Sequence, residues 1–379
     1  MTNSPAPERV RKESVLSVTR LRLTNFRSYS SVEIAASGAP VVLAGPNGAG
    51  KTNLLDAISL LSPGRGLRGA KLSEHTRRGP SAMSEALWAV AATVTRAGEP
   101  YDIGTGLVAS QGSERRQVRL NGAAAQSSAD LGDVVQMLWL TPAMDRLFME
   151  SASGRRKFLD RLVLGFDAAH ARAATRYETA MRERARLLKF GPRDPAWLDG
   201  LESEMVEAGL AMAKARRETV ARLNSALAER VGAFPAAQLS LDSDDTDDTL
   251  GERLARARIR DAEAGRTTVG PHLVDLTVRH TQKRTDAHEC STGEQKALLI
   301  SIVLADAREL SRARNGLCPL LLLDEIAAHL DVTRRAALFE EILELGAQAW
   351  MTGTDIDMFA PLRAKADLFE VADSQPRLI

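Results

Sequence analysis

Apolar and polar residues alternate over positions 16–34, through Val18, Leu21 and Leu23 and then Val32 and Ile34. This predicts two edge-type strands joined by a turn at Asn25, Phe26, Arg27 and Ser28. The unbroken run Val41, Val42, Leu43, Ala44 predicts a buried strand, and Leu54, Ala57, Ile58 and Leu61 recur at the spacing of an amphipathic helix. A glycine-rich loop lies between the two. Residues 62–80 are rich in Gly and Arg, and up to about residue 140 short strand-like runs alternate with turn signals such as Asn121-Gly122, as in a β-rich elaboration. Over 153–234 the pattern turns helical, broken at Gly191, Pro192 and Pro195. Leu201, Met205, Ala208, Met212 and Ala215 then follow at intervals of three and four, and two long antiparallel helices are expected. The acidic tract 242–248 reads as a solvated loop. The last third predicts a strand over 273–278, a charged turn, a helix from Ser291 to about Ala307, a strand at Leu320–Leu323, another helix and a final strand near 349–351. Strands separated by helices indicate a mostly parallel, helix-covered sheet, and no internal repeat is visible.

Composition narrows the function classes. At 379 residues, two domains or one large domain with an insertion is the expectation. Lys plus Arg (50) and Asp plus Glu (49) cancel, so any polyanion site must be a local patch rather than a property of overall charge. No stretch reaches the roughly 20 apolar residues of a membrane span, and the polar N-terminus has no apolar export signal. With Cys290 and Cys318 alone, a disulfide framework is excluded and a reducing cytoplasm is the expected compartment.

Three segments carry chemistry. Gly45-Pro46-Asn47-Gly48-Ala49-Gly50-Lys51-Thr52 fits G-x-x-x-x-G-K-[ST] between a buried strand and a helix. Its backbone N–H groups and the helix N-terminus suit phosphate oxygens, Lys51 supplies charge to the β- and γ-phosphates, and the Thr52 hydroxyl can ligate magnesium. The run Leu320–Leu323 ends in Asp324 and Glu325, as in a strand buried on both faces whose C-terminal end meets a ligand crevice. There Asp324 can hold the magnesium shell and Glu325 can orient or deprotonate water. Ser291-Thr292-Gly293-Glu294-Gln295 reads structurally as a capping box, Ser291 at the N-cap and Glu294 three residues on. Functionally it reads as an anion site made of a hydroxyl, a glycine N–H and a helix dipole.

Together with His329-Leu330-Asp331, these segments resemble the ABC-type ATPase head. The block from Leu21 to Tyr29 (Leu-x-Leu-x-Asn-Phe-Arg-Ser-Tyr) and the Gly45 block resemble the RecF recombination mediator family. So do Thr141-Pro142 with the downstream Arg155-Arg156-Lys157-Phe158-Leu159-Asp160, and Gly270-Pro271-His272. The resemblance runs from about residue 15 to 375. It implies an α/β ABC-ATPase head: a P-loop parallel sheet, an antiparallel β elaboration and an inserted helix-hairpin subdomain. The expected division is a disordered tail (1–14), the N-terminal part of the head (15–150), the helical insertion (151–235) and the C-terminal part of the head (236–379). ATP and Mg2+ are the implied cofactors. The glycine loop of one chain would face Ser291, Gly293 and Glu294 of a second, with Asp331 near the seam of an ATP-dependent homodimer. The implied partners are DNA, at gaps or junctions, and mediators of the RecR and RecO type; no membrane is implied.

Two departures from the wider ATPase pattern bear on turnover. Trp350-Met351-Thr352-Gly353-Thr354 lacks the histidine expected at the γ-phosphate, with Thr352 or Thr354 as the available substitute. Trp139-Leu140-Thr141-Pro142 lacks a glutamine. A slow, switch-like ATPase is expected. The DNA patches open to it are residues 154–222, with 15 Lys or Arg against 10 Asp or Glu, and Arg65, Arg68, Lys71, Arg77 and Arg78. Either can equally be a solvated face. Aromatic residues make up 4% of the chain, so duplex backbone binding suits the composition better than base stacking. A transporter-type ATPase fits poorly because Thr52 and Ser291 stand too far apart. A chromosome-organising or break-processing ATPase would need a sustained heptad that the insertion lacks.

Overall fold

A computed structural model describes residues 16–77, 86–110, 113–191, 194–229, 232–242, 250–328 and 330–379. The N-terminal tail, Arg78, Pro192, most of the acidic tract and His329 lie outside these residues. The chain divides into two compact units. The first comprises Met1–Asp145, Val231–Phe234 and Val303–Ile379, and the second Arg146–Arg230 and Pro235–Ile302. The expected helical insertion therefore shares its unit with the strands and the helix start that follow it.

In the first unit, β1 (Leu16–Phe26) and β2 (Tyr29–Ala35) form a hairpin closed at the Phe26–Tyr29 pair. β4 (Ala86–Arg96), β5 (Glu99–Ser110), β6 (Ser113–Leu120) and β7 (Ala123–Ala124) extend it into a six-stranded antiparallel sheet of order β2-β1-β4-β5-β6-β7. A second sheet has the order β15-β14-β3-β13-β12-β8. It contains β3 (Val41–Ala44), β8 (Met137–Leu140), β12 (Leu320–Leu323), β13 (Ala349–Gly353), β14 (Asp367–Ala372) and β15 (Gln375–Leu378). All its pairs are parallel except β14–β15. Every residue of β3, β12 and β13 is buried, which explains their unbroken apolar sequences. Helix α1 (Lys51–Ser59) buries Leu54, Leu55, Ala57 and Ile58 in one apolar core with residues of both sheets.

In the second unit, the expected pair of long helices is three: α2 (Ala152–Phe166), α3 (Ala169–Phe190) and α4 (Pro195–Ala228). The break falls at Asp167, whose carboxylate accepts from the Ala169 N–H at 2.8 Å and so restarts the helix rather than continuing it. α3 and α4 are antiparallel: Arg184 pairs with Glu202, while Arg176, two turns earlier, pairs with Glu204 and Glu207 further along. Helix α5 (Leu250–Ala264) and the sheet of β9 (Ala237–Asp242), β10 (Asp275–His280) and β11 (Thr285–Asp286) complete this unit. Helix α6 (Thr292–Ala313) extends past its expected end at Ala307, and α7 (Val332–Leu345) follows β12. Among the described residues, no helix is long and apolar enough to cross a membrane.

Candidate nucleotide site

The glycine loop leaves β3 in the middle of the parallel sheet, between β13 and β14, and enters α1 at Lys51. Two of its glycines are required by space. A Cβ on Gly45 would lie 2.1 Å from the Val371 carbonyl oxygen. One on Gly50, at φ 107°, would lie 2.7 Å from the Tyr29 hydroxyl. Pro46, Asn47 and Gly48 form the exposed rim of the loop. Ala49 is buried beneath it.

Lys51 folds back over this loop, and its ammonium donates to the carbonyls of Gly45 (2.6 Å) and Pro46 (2.8 Å). Burial lowers the Lys51 pKa from its ordinary value, opposed by the charges of Glu325 and Asp324. The Thr52 hydroxyl donates to Asp324 at 2.9 Å, and the Thr352 hydroxyl donates to the same carboxylate at 2.8 Å. Thr352 also accepts from the Glu325 N–H at 2.7 Å, and Glu325 stands at φ 49°, a left-handed conformation uncommon for a side-chain-bearing residue. Four residues from three separate segments thus converge at the C-terminal ends of β12 and β13. Thr352, fully buried, is committed to Asp324, whereas Thr354 is exposed. The two candidates for the missing histidine are therefore not equivalent.

The β1–β2 turn also reaches this site, a role that the reading of Asn25 to Ser28 as a turn did not reveal. Tyr29 donates to the Gly50 carbonyl at 3.2 Å, and the Asn53 amide donates to the Ser28 hydroxyl at 2.9 Å. Arg27 donates to buried Asp56 at 2.9 Å, and His75 stands 3.4 Å from the same oxygen while stacking on Phe26. Burial works to raise the Asp56 pKa, but His75 and Arg27 outweigh it and hold the carboxyl below its usual range. Arg27, Ser28, Asn53, Glu74 and Thr76 line a polar cavity of ≈ 420 Å3. Asn53 also accepts from Arg68 at 3.3 Å, so one cation of the Gly- and Arg-rich stretch lies against α1. The signal in the sequence was the run Arg27-Ser28 inside a hairpin turn, polar where a short turn needs only small residues.

Ser291, Gly293 and Glu294 belong to the second unit. Ser291 is the N-cap of α6, its carbonyl accepting from the Gln295 N–H at 2.9 Å. The expected capping box is half formed. Glu294 accepts from the Ser291 N–H at 3.0 Å, but the Ser291 hydroxyl donates to Glu294 (3.0 Å) instead of accepting from an amide. Lys283 holds the other Glu294 oxygen, and this ion pair, with the two Ser291 donors, pulls the Glu294 pKa down to about 2. A Cβ on Gly293 would meet nothing within 4 Å, so nothing among the described residues requires glycine there. Asp331, in the first unit, caps α7 by accepting from the Arg334 N–H at 2.8 Å.

Part of the basic stretch 154–222 is spent on internal pairing. Arg155 is held by Asp275, Arg216 by Asp160, Arg184 by Glu202 and Asp261, and Arg176 by two glutamates. Lys157, Arg172, Arg182, Arg186 and Lys189 are exposed.

The sequence fits the profile of the RecF/RecN/SMC N terminal domain over residues 17–374. It is 48% identical over 372 residues to the DNA replication and repair protein RecF of Rhizobium etli, covering 95% of this chain and 98% of that protein. To the protein of the same name from Agrobacterium fabrum it is 49% identical over 369 residues, covering 94% and 97%. Among solved structures, the recombination mediator protein RecF-ATP in the RecFOR pathway superposes with a TM-score of 0.81 at 21% identity, covering 97% of this chain and 98% of that one. An Smc head domain from Pyrococcus furiosus with an extended coiled coil superposes at 0.55 and 17%, each chain covered to 96%. At these identities the structural likenesses establish the fold: an ABC-ATPase head.

Proposed function

The chain belongs to the RecF proteins of DNA replication and repair within the RecF/RecN/SMC family, and from that premise we propose that it is an ATP-dependent dimeric clamp on DNA. The observation that carries this reading is the convergence of Thr52, Asp324 and Thr352 beside Lys51 at the mouth of the glycine loop. Asp324 is buried, its side-chain partners are two hydroxyls, and among the described residues it has no ion pair. Such a carboxylate beside a threonine hydroxyl fits magnesium, which takes one or two protein oxygens and completes its shell from phosphates and water. Thr52 and Asp324 would hold the ion, which would neutralise charge on the β- and γ-phosphates.

The chain's own residues do the rest. The 48–52 amides and the α1 N-terminus bind phosphate oxygens. Lys51 exchanges two loop carbonyls for the β- and γ-phosphates, a swap of weaker dipoles for full charges. Glu325, its backbone pinned by Thr352, orients the attacking water and accepts its proton. Because Thr352 is occupied by Asp324 and no histidine stands at this strand end, turnover is slow and ATP acts as a switch.

A second chain supplies Ser291, Gly293 and Glu294 to the γ-phosphate, with Asp331 at the seam. Open Gly293 supports this, since it lets a phosphate or a neighbouring loop approach the α6 N-terminus without meeting a side chain. ATP then favours the closed dimer because only that state contacts the γ-phosphate from both sides, and hydrolysis removes the preference. DNA is held through its backbone by exposed Arg and Lys, and mediators of the RecR and RecO type act with the clamp in loading the recombinase at gaps. Sedimentation with and without ATP and magnesium tests the reading. Wild-type protein should shift from monomer to dimer and bind gapped duplex more tightly, and Lys51→Met should abolish both. Nucleotide-independent DNA binding that is identical in the variant would refute the switch.

A further inference from the structure

Aromatic residues are few in this chain, yet among the described residues the only exposed ones, Phe190 (78%) and Trp197 (53%), stand at the same end of the α3–α4 hairpin. Both are held on rigid elements. Phe190 is the last residue of α3. Trp197 lies in the first turn of α4, which starts with Pro195 and is capped by Asp194 accepting from the Ala196 (3.0 Å) and Trp197 (3.4 Å) amides. On the same two helices Leu187, Leu188 and Leu198 form a small buried cluster, against which Leu201 and Ala262 of α5 pack. Neither ring belongs to that cluster, and both leave large flat faces at the surface.

The surroundings are cationic. The Lys189 ammonium lies 5.1 Å from the centroid of the Phe190 ring and also beside Gly265, whose neighbour in sequence, Arg266, is exposed. Arg186, one turn before Phe190 on α3, is exposed as well, and Arg260 of α5 is exposed while donating to Thr268 at 2.8 Å. The acids on these stretches are exposed Glu183 and Glu263, Asp194, bound to its cap amides, Asp199, paired with Arg258, and Glu202 and Asp261, which hold buried Arg184. Two separate flat rings framed by cations match a chain of flat bases joined by phosphates. A docking protein segment would instead need a continuous apolar floor to repay its ordering.

We propose that Phe190 and Trp197 form a stacking site for unpaired nucleobases, with Lys189 and Arg266 on the adjoining phosphates. This site would let the chain recognise the single-stranded side of a junction. The inference rests on the DNA-clamp reading and adds to its duplex-backbone contacts a place for unpaired bases.

The test uses full-length protein with ATP and magnesium and three labelled probes: a blunt duplex, the same duplex with an oligothymidine tail of about 15 nucleotides, and one with an abasic tail of equal length. The Phe190→Ala/Trp197→Ala double variant should bind the thymidine-tailed duplex about 10- to 100-fold more weakly than wild type, and the blunt duplex equally well. The thymidine tail should quench the exposed Trp197, and the abasic tail should not; Trp197→Phe should restore most of the tailed affinity. Equal binding of thymidine and abasic tails, or an unimpaired double variant, overturns the proposal. So does a double variant that loses only a protein partner. Failure of the wild type to bind even blunt duplex overturns the parent reading as well, and is recognisable as such.

Discussion

Two helix N-termini in this chain are built from similar parts to opposite standards. At the start of α1, Gly45 and Gly50 occupy places that a Cβ cannot enter without clash, Lys51 is held by the loop carbonyls of Gly45 and Pro46, and Thr52 and Thr352 both bond to Asp324. At the start of α6, a Cβ on Gly293 would meet nothing within 4 Å, and among the described residues the side chains of Ser291 and Glu294 bond only between these two residues and to Lys283. On the proposed reading the first is one half of a phosphate site, already held in place by its own chain. The second is held as a helix start by Ser291, Glu294 and Lys283, none of which needs a glycine beside it, and on the proposed reading Gly293 answers to a second chain. Side-chain removal or addition should therefore read out as folding at one site and as assembly at the other.

The largest effect is expected from Gly45→Ala. Its methyl group would press on the Val371 carbonyl across the β3–β14 pair, costing on the order of 3 kcal/mol or more in thermal unfolding. An unchanged melting temperature would mean that the loop is not held as described. Gly293→Ala is the mirror experiment. The monomer should be as stable as wild type, or gain up to about 1 kcal/mol from better helix propensity. ATP-driven dimerisation should weaken tenfold or more. A destabilised monomer with normal dimerisation would erase the contrast between the two sites.

The smallest effect concerns acid. The Glu294 carboxyl is held at about 2 in the fold against an ordinary 4.5, chiefly by Lys283 and then by Ser291. A depressed folded value means that this contribution is whole above the unfolded pKa and is lost as pH falls from 4.5 towards 2. Because the pair is partly open to solvent, the contribution is modest. Acid unfolding of Glu294→Gln should be slightly less steep than that of wild type in this window. Superimposable curves would show that the Lys283 pair contributes nothing.

What the sequence disclosed, and what it did not, follows from the range of the interactions. The glycine loop, the Leu320–Leu323 strand with its two acids, and the α6 cap are each contained in a few consecutive residues, and their periodicity or spacing is legible without a fold. The role of Thr352 is not, because its partner Asp324 lies 28 positions away and meets it only through the pairing of β12 with β13. The same holds for the β1–β2 turn, whose Ser28 and Tyr29 acquire a role only when α1 packs beside them. β14 shows Leu368, Phe369 and Val371 in six residues, too short a run to announce a strand that holds one wall of the loop. Charge was the least legible property. The excess of cations over 154–222 mixes buried pairs such as Arg184 with exposed groups such as Lys189, and composition cannot separate them. For the same reason, 4% aromatic content concealed that the two exposed rings share one hairpin end.

The comparison between the two helix starts reduces to whether one chain's glycine loop is completed by another chain's Ser291. Mixing two defective chains, Lys51→Met and Ser291→Arg, with ATP, magnesium and gapped duplex measures this directly. In a mixed dimer one site carries an intact Lys51 facing an intact Ser291, and the other site carries both lesions. Each variant alone should be inactive in ATP turnover and in ATP-dependent DNA binding, and the mixture should recover both. Wild-type turnover by Ser291→Arg alone, or a mixture no more active than its separate parts, would contradict the composite site.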